Sequence, residues 1–206
     1  MRMKPLAVAA SLALALAAAG CASDGTFKVF SSDYGARVDA GYQLPSVPIY
    51  KVDKKYHRQI VRYDTAERPG TIIVDTANKF LYFVMPEGKA VRYGIGVGRQ
   101  GFEWRGTARV ALKREWPRWT PPSEMIGRQP ELAKWRGGMP PGLTNPLGAR
   151  ALYLFNNGGD SGYRLHGTPE WSSIGKAMSS GCIRLMNQDI IDLYERAETG
   201  AKVIVI

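Results

Sequence analysis

Cysteine and histidine are scarce in this chain of 206 residues, which has two of each: Cys21 and Cys182, and His57 and His166. Protein zinc sites draw three or four ligands mostly from these residue types and from carboxylates. The glycine run over residues 94–98 lacks both the following helix and the lysine–serine ending of a phosphate-binding loop. The sequence therefore predicts neither a metal nor another cofactor, and it disfavours zinc-dependent hydrolysis.

A long apolar run occurs only near the N-terminus, from Leu6 to Ala19, and it is too short to be a secure membrane span. Arg2 and Lys4 precede it and small residues follow it, which is the layout of a secretory signal peptide over residues 1–20. Residues 16–21 resemble a bacterial lipobox, in which Cys21 would be lipidated; cleavage without lipidation is the alternative. Export to the periplasm or cell envelope is predicted, with a lipid anchor to the membrane as one option.

Acidic residues are also few: 18 of them face 28 lysines and arginines, for a formal net charge of +10. Such a charge attracts nucleic acid, anionic membranes or carboxylate-rich peptides. Export argues against nucleic acid, and no helix-turn-helix, zinc-finger or aromatic RNA-binding signature is present in the sequence. The charge indicates an anionic partner in the envelope, or a basic surface that only keeps the protein soluble.

His166 and Cys182 lie close together in the sequence, with the small residues Ser179, Ser180 and Gly181 directly before the cysteine. A cysteine is nucleophilic as the thiolate, and a nearby imidazole is the usual group that takes its proton. The spacing lets a strand end at the histidine, cross a loop and return as a turn that carries the thiol. The small residues leave amide N–H groups free for an oxyanion hole. This pattern indicates a thiol active site rather than a buried structural cysteine or a disulfide.

The order His166-Gly167-Thr168, a spacer, and then Ser179-x-Gly181-Cys182-Ile183-Arg184-Leu185 with Asn187 nearby resembles the signature of the L,D-transpeptidase (YkuD-type) catalytic domain. The resemblance covers roughly residues 71 to 206. It implies a mainly β fold, a β-rich sandwich or barrel-like architecture with a few short helices. It also implies acyl transfer on peptidoglycan stem peptides.

By the same resemblance, Cys182 is the nucleophile and His166 the proton acceptor and donor, with Ser180 and Gly181 completing the catalytic turn. The residues predicted to bind substrate are Arg184, Gly167, Thr168, Ser179 and Tyr163. Arg184 is expected to pair with a stem-peptide carboxylate, because a guanidinium binds carboxylates through two bonds. Residue 180 is often histidine in the family and is serine here. The group that orients His166 is therefore open between Ser179, Ser180 and a backbone carbonyl near Gly167.

Several functional alternatives stay open at this point. The acyl acceptor could be another stem, an envelope protein, a free D-amino acid, or water, which would make the enzyme a carboxypeptidase. A papain-like cysteine peptidase is a second class, but it places the cysteine before the histidine, and here His166 comes first. A non-catalytic wall-binding lipoprotein is a third class, against which the intact His166 and Cys182 argue.

The chain divides into residues 21–68, a polar tether or extension, and residues 69–206, the catalytic domain. Strands are predicted at 71–75 and 80–85, which form a hairpin, and at 90–98, 108–112, 152–155, 163–166 and 202–206. Helices are predicted at 130–135, 171–177 and 188–198, the last with Asn187 as its N-cap. The proline- and tryptophan-rich connection at about 116–148 is interpreted as a lid or a wall of the substrate groove.

Overall fold

A computed structural model describes residues 27–28, 31–99, 104–179 and 181–206. The predicted signal peptide, the predicted lipidation site Cys21 and the predicted catalytic residue Ser180 lie outside the described residues. Among the helices that the structure does describe, none is both long and apolar enough to cross a membrane.

One ten-stranded sheet forms the centre of the described part of the chain. In chain order the strands of the structure are β1 (Phe27–Lys28), β2 (Arg37–Asp39), β3 (Tyr42–Leu44), β4 (Gln59–Arg62), β5 (Ile72–Asp75), β6 (Phe80–Met85), β7 (Lys89–Gly94), β8 (Val97–Gly98), β9 (Gly106–Glu115), β10 (Arg150–Asn156), β11 (Gly159–Thr168), β12 (Ala177–Ser179), β13 (Ile183–Met186) and β14 (Lys202–Val205). The sheet order is β1-β4-β7-β6-β5-β14-β9-β10-β11-β13, while β8 pairs with β12 and β2 with β3. The predicted mainly β fold class is confirmed.

The α-helices are short and few in the described residues: α1 (Ser123–Arg128) and α2 (Asn187–Arg196). The 3₁₀ turns are Ser31–Tyr34, Ile49–Lys51, Lys54–Tyr56, Pro130–Trp135 and Trp171–Ser173. The prediction that Asn187 is the N-cap of α2 is wrong. Asn187 is the first residue of the helix, and Met186 takes the cap position. The helix predicted at 171–177 is wrong beyond Ser173, because Gly175 has a φ of +82° and the chain then enters β12.

The predicted hairpin is confirmed as β5 paired antiparallel with β6. The three consecutive residues Ile72, Ile73 and Val74 of β5 are buried, so both faces of this strand are covered, which is the pattern of a strand inside a sheet packed on both sides. The predicted strand at 90–98 divides into β7 and β8. α2 packs over β10, β11 and β13 with Ile190 and Leu193 buried, so it lies directly against the strands that carry the histidine and cysteine motif.

Residues 31–68 lie against the sheet and against α2. β4 pairs with β7 in the central sheet, and both Tyr34 and Leu44 are buried. Asp39 receives two hydrogen bonds from the guanidinium of Arg150 (2.7 and 2.9 Å) and one from the indole of Trp116 (2.7 Å). The predicted boundary between residues 68 and 69 therefore falls within one continuous sheet.

Candidate active site

Two parallel strands bring the predicted histidine and cysteine to one edge of the sheet. β11 pairs with β13 in a register that places His166 opposite Arg184 and Leu165 opposite Ile183. Cys182 directly precedes β13, so it lies beside the part of β11 just before the histidine. Because side chains alternate along a strand, His166 and Arg164 share one face of β11. The sequence prediction that a strand ends near His166 and the chain returns through a turn to Cys182 agrees with this arrangement.

β13 is the last strand of the ten-stranded sheet, but its free edge is partly covered. The Gly96 N–H donates to the Arg184 carbonyl (2.9 Å), and the Arg184 N–H donates to the Gly96 carbonyl (2.8 Å). A side chain at residue 96 would meet the Ser173 carbonyl oxygen at 2.8 Å, so the close approach requires glycine. The two hydrogen bonds hold the backbone at Arg184, two residues after the thiol.

The turn that carries Cys182 is held by Ser179. Its hydroxyl donates to the Cys182 carbonyl (2.6 Å) and accepts from the Gly181 N–H (3.3 Å), and the side chain is buried. Gly181 has a φ of +118°, in the left-handed region that favours glycine. Hydrogen bonds between Ser179 and both Gly181 and Cys182, together with the positive φ of Gly181, therefore hold the backbone at the thiol.

A backbone carbonyl orients the histidine. Nδ1 of His166 lies 2.6 Å from the carbonyl oxygen of Gly167. Since a carbonyl can only accept, Nδ1 carries the hydrogen and Nε2 is left with its lone pair. The sequence left three candidates for the group that orients the ring. The Gly167 carbonyl is the one that hydrogen-bonds to it, while the Ser179 hydroxyl bonds within the cysteine turn and Ser180 lies outside the described residues.

Burial favours the uncharged form of both the His166 imidazole and the Cys182 thiol. It lowers the pKa of His166 to about 4, an effect that the Gly167 carbonyl opposes and that Arg184 and Arg164 reinforce. Burial also raises the pKa of the Cys182 thiol, and the neighbouring Arg164 and Arg184 work in the opposite direction. The same two arginines act on both groups, as expected if all four residues form one site.

Arg164 is a site residue that sequence reasoning missed. Its guanidinium binds Asp160 through two hydrogen bonds (2.7 and 2.8 Å) and lies over the ring of Tyr153 at 4.3 Å. The signal was available, because a residue two positions before His166 on a strand shares its face. Arg184 was predicted, and in the structure its Nη1 contacts Glu170 Oε2 at 3.0 Å.

The remaining predicted residues lie around this centre. Gly167 packs against Asn187 so closely that a side chain at 167 would overlap the Asn187 amide oxygen, which accepts a hydrogen bond from the Ala149 N–H (2.9 Å). Thr168 is buried, and its hydroxyl accepts from the Glu170 N–H (3.1 Å). Tyr163 stacks on Trp104 with ring centroids 5.2 Å apart. Both rings line a small apolar cleft that reaches Gly181.

The proline- and tryptophan-rich connection returns to the histidine. Its base is closed by a β-bridge between Trp119 and Met139 and by the fully buried Asn145, whose amide donates to the Pro117 (3.1 Å) and Pro140 (2.9 Å) carbonyls. The next residue, Pro146, presents its carbonyl to His166, where it opposes the lowering of the pKa. This contact is compatible with the groove-wall interpretation, which stays a prediction.

No group of three or more histidine, cysteine, aspartate or glutamate side chains within the described ranges is arranged to hold a metal ion.

Comparison with known proteins identifies the family of this chain. A family model described as the L,D-transpeptidase catalytic domain matches residues 69–205. The chain belongs to this family. The Escherichia coli protein named Probable L,D-transpeptidase YcfS is 36% identical over 146 residues, which are 68% of this chain and 45% of YcfS. The chain therefore spans less than half the length of that L,D-transpeptidase relative.

Solved structures share the L,D-transpeptidase fold. A Mycobacterium smegmatis L,D-transpeptidase is 21% identical with a TM-score of 0.50, over 66% of this chain and 58% of that chain. A Brucella melitensis protein described as a probable carnitine operon oxidoreductase is 45% identical with a TM-score of 0.52, over 77% of this chain and 99% of that chain. The oxidoreductase description belongs to the Brucella protein; the family assignment rests on the domain match and the transpeptidase relatives.

A buried charge cluster ties α2 to the segment that precedes the L,D-transpeptidase match. Arg58 lies in a basic run of the sequence, yet its side chain is only 8% exposed and contacts Asp33 (2.8 Å), Asp192 (3.4 Å) and Asp189 (3.8 Å). The Tyr34 hydroxyl accepts from the Arg58 N–H (2.6 Å) and donates to Asp189 (3.4 Å). Burial raises the pKa of Asp189 to about 7, against the opposing effect of Arg58.

Proposed function

We propose that this protein is a peptidoglycan L,D-transpeptidase, a cysteine acyltransferase of the cell envelope. Family membership supplies the reaction class and the stem-peptide substrate. The observation that carries the residue assignment is the hydrogen bond from Nδ1 of His166 to the Gly167 carbonyl, because it leaves Nε2 as the ring nitrogen that can accept a proton. The Cys182 thiol lies in the neighbouring turn and is uncharged, so it needs a proton acceptor before it can act as a nucleophile.

The reaction begins with a neutral thiol and a neutral imidazole. As the Cys182 sulfur attacks the carbonyl carbon between the L-centre of diaminopimelate and the terminal D-alanine, the thiol proton passes to Nε2 of His166. A carbon–sulfur bond forms and the carbonyl oxygen becomes an oxyanion. The backbone N–H groups of Gly181 and Cys182 are the proposed donors to this oxyanion.

Collapse of the intermediate breaks the carbon–nitrogen bond, and the His166 imidazolium gives its proton to the departing D-alanine amine. The product is a thioester on Cys182. An acceptor amine then attacks the thioester and passes a proton to His166, which returns it to the sulfur as the acyl group leaves. When the acceptor is a second stem the product is a crosslink, and when it is an envelope protein the product is an anchored protein. Water as the acceptor gives carboxypeptidase action.

The cellular location belongs to the proposal as well. A signal peptide over residues 1–20 and lipidation at Cys21 would place the catalytic domain in the periplasm, close to its peptidoglycan substrate. Removal of residues 1–20 takes away Arg2 and Lys4 and leaves a formal charge of about +8, which would favour approach to a polymer whose stem peptides carry free carboxylates.

The test uses protein that starts at Ala22, incubated with purified disaccharide-tetrapeptide, with products identified by mass spectrometry. Wild type is expected to give crosslinked dimers. Cys182→Ala is expected to lose activity by at least about a thousandfold, as removal of a nucleophile does in other acyltransfer enzymes. Ser172→Ala, an exposed change in the same loop between histidine and cysteine, is the matched control and keeps its activity.

Tripeptide without dimers would assign hydrolysis instead of transfer. Product formation that survives Cys182→Ala would contradict the mechanism, and the absence of any product from a folded wild-type protein would contradict the substrate.

A further inference from the structure

The ion pair between Arg184 and Glu170 places one of the protein's own carboxylates at the rim of the site. Arg184 lies opposite His166 in the sheet and two residues after Cys182. Its Nη1 is 3.0 Å from Glu170 Oε2, and the glutamate belongs to the loop that joins the histidine strand to the cysteine turn. The loop thus brings the Glu170 carboxylate to Arg184, the arginine that is best placed to bind a carboxylate of the substrate.

The two partners of this pair differ in their freedom to move. The Arg184 backbone is held on one side by β11 and on the other by its two hydrogen bonds with Gly96. The Glu170 backbone is also anchored, because its N–H donates to Thr168 and its carbonyl accepts from the Ser173 hydroxyl (2.7 Å). The glutamate side chain, however, is 65% exposed, against 22% for the arginine. Glu170 can therefore swing its carboxylate into water while the arginine stays in place.

We propose that Glu170 is an internal stand-in for a stem-peptide carboxylate, which it matches in chemistry and which displaces it from Arg184 when substrate binds. This inference rests on the proposed function and adds a specificity-determining residue to it. Arg184 prefers stems with a free carboxylate over stems in which that group is amidated, and Glu170 weakens the preference by competing for the same guanidinium. An incoming neutral amide cannot replace the lost charge pair, whereas an incoming carboxylate can.

The weakness of an exposed ion pair makes the exchange feasible. Surface pairs contribute little to stability because water solvates the separated charges well. Displacing Glu170 is therefore expected to reduce the affinity for an anionic stem by a factor of only about two to five.

The neighbouring pair of Arg164 and Asp160 is less suited to the same exchange. Asp160 binds its arginine through two hydrogen bonds, whereas Glu170 contacts Arg184 through one nitrogen. A two-bond fork is both stronger and geometrically more specific than a single contact. Of the two rim carboxylates, Glu170 is the one that an incoming anion displaces more easily.

The deciding experiment measures binding without turnover, so that its result does not depend on the proposed reaction. In the Cys182→Ala background of the full chain, the dissociation constants of three tetrapeptide stems are determined by calorimetry: unmodified, amidated at D-glutamate, and amidated at diaminopimelate. Glu170→Gln is expected to tighten binding of the unmodified stem about two- to fivefold. One of the two amidated stems lacks the carboxylate that Arg184 recognises, and Glu170→Gln is expected to leave the binding of that stem unchanged. The stem that shows no change therefore identifies the recognised carboxylate.

Two further variants make the result specific. Arg184→Gln is expected to abolish the difference between the free and the amidated stem. Glu67→Gln removes the same charge from the ion pair with Lys202 and is the control. Lys202 begins β14, whereas Val205, at the other end of the strand, lines the cleft near Gly181. This variant is expected to change no dissociation constant. Equal tightening for all three stems, or weaker binding after Glu170→Gln, would overturn the inference. A parallel assay of Glu170→Gln with Cys182 intact reports turnover separately, so failure of the proposed reaction is recognised on its own.

Discussion

The polar groups beneath the site differ sharply from those at its edge. The floor, defined as Arg58, Asp189, Asn187 and Gly167, is buried, and its side-chain contacts join segments that are far apart in the sequence. The rim, defined as Arg164, Asp160, Arg184 and Glu170, consists of two arginine–carboxylate pairs whose acidic partners are exposed. Both regions use charge, but in surroundings of very different polarity.

The difference separates two uses of an ion pair. A buried charge that loses its partner is left without solvent, so a buried pair holds its elements in one arrangement. An exposed pair that opens is solvated again, so it can exchange partners at small cost. In this protein the first kind contacts the helix that packs on the strands of the candidate site, and the second kind lies at the edge of that site. Three substitutions or conditions test that division, beginning with the one expected to have the largest effect.

Arg58→Ala is expected to lower the free energy of unfolding by about 3–5 kcal/mol, because it removes the buried guanidinium that joins Asp33, Asp189 and Asp192. Urea denaturation followed by circular dichroism measures the change. Lys202→Ala, which opens the exposed pair with Glu67, is the control and is expected to cost less than about 1 kcal/mol. Equal losses for the two variants would remove the distinction between buried and exposed pairs.

Gly167→Ala is expected to destabilise the protein by about 1–3 kcal/mol, because the new methyl group would overlap the Asn187 amide oxygen and lie 2.9 Å from the Ile190 side chain. The same change would displace the carbonyl that orients His166, so turnover is expected to fall together with stability. Thermal unfolding and the dimer assay measure the two effects. Gly127→Ala, at a position with open space around it in α1, is the control and is expected to be neutral or slightly stabilising. A Gly167→Ala protein of wild-type stability would show that the floor is not tightly packed at this point.

The smallest expected effect is a pH dependence that originates in the floor. The pKa of Asp189 is raised from 3.8 to about 7, so the folded state holds a proton that the unfolded state has released, and stability falls as the pH rises from about 4 to 7 and levels off above 7. Between pH 6.5 and 8 this contribution amounts to about 1 kcal/mol. His166 acts with the opposite sign, since its pKa is lowered to about 4 and stability is lost as the pH falls from 6.5 towards that value.

Comparing wild type with Asp189→Asn separates the two groups, because the contribution of His166 is common to both proteins. The measurement is urea stability at several pH values between 6.5 and 8. The wild-type curve is expected to fall relative to that of the variant. Two parallel curves would mean that Asp189 is ionised throughout this range.

The sequence was sufficient for the features that depend on local patterns. The β5–β6 hairpin follows from two β-branched and aromatic runs around a short turn, and α2 follows from apolar residues at helical spacing. His166 and Cys182 could be singled out because the chemistry of a thiol site requires their residue types. The 171–177 helix was wrong because one glycine with a positive φ ended it after a single turn, a feature that an apolar pattern does not reveal.

The polar contacts of the floor could not be predicted, because they are long-range contacts. Arg58 and Asp189 are 131 positions apart in the numbering, and nothing in the run Lys54-Lys55-Tyr56-His57-Arg58 distinguishes the one buried cation from its exposed neighbours. The role of Asn187 could not be predicted either. Its amide oxygen accepts a hydrogen bond from the N–H of Ala149, the residue before β10, rather than from an N–H of its own helix. Burial decides the function of these polar residues, and burial is a property of the tertiary structure.

The contact between Arg58 and α2 bears on where this protein begins as a folding unit. The region shared with the L,D-transpeptidase family starts at residue 69, yet the cation opposite Asp189 and the strand beside β7 both come from earlier in the chain. The region of sequence similarity is therefore smaller than the packed structure. The stretch before the family domain contributes a strand to the same sheet and a buried cation to α2, so the limits of the family match and of the tertiary packing do not coincide.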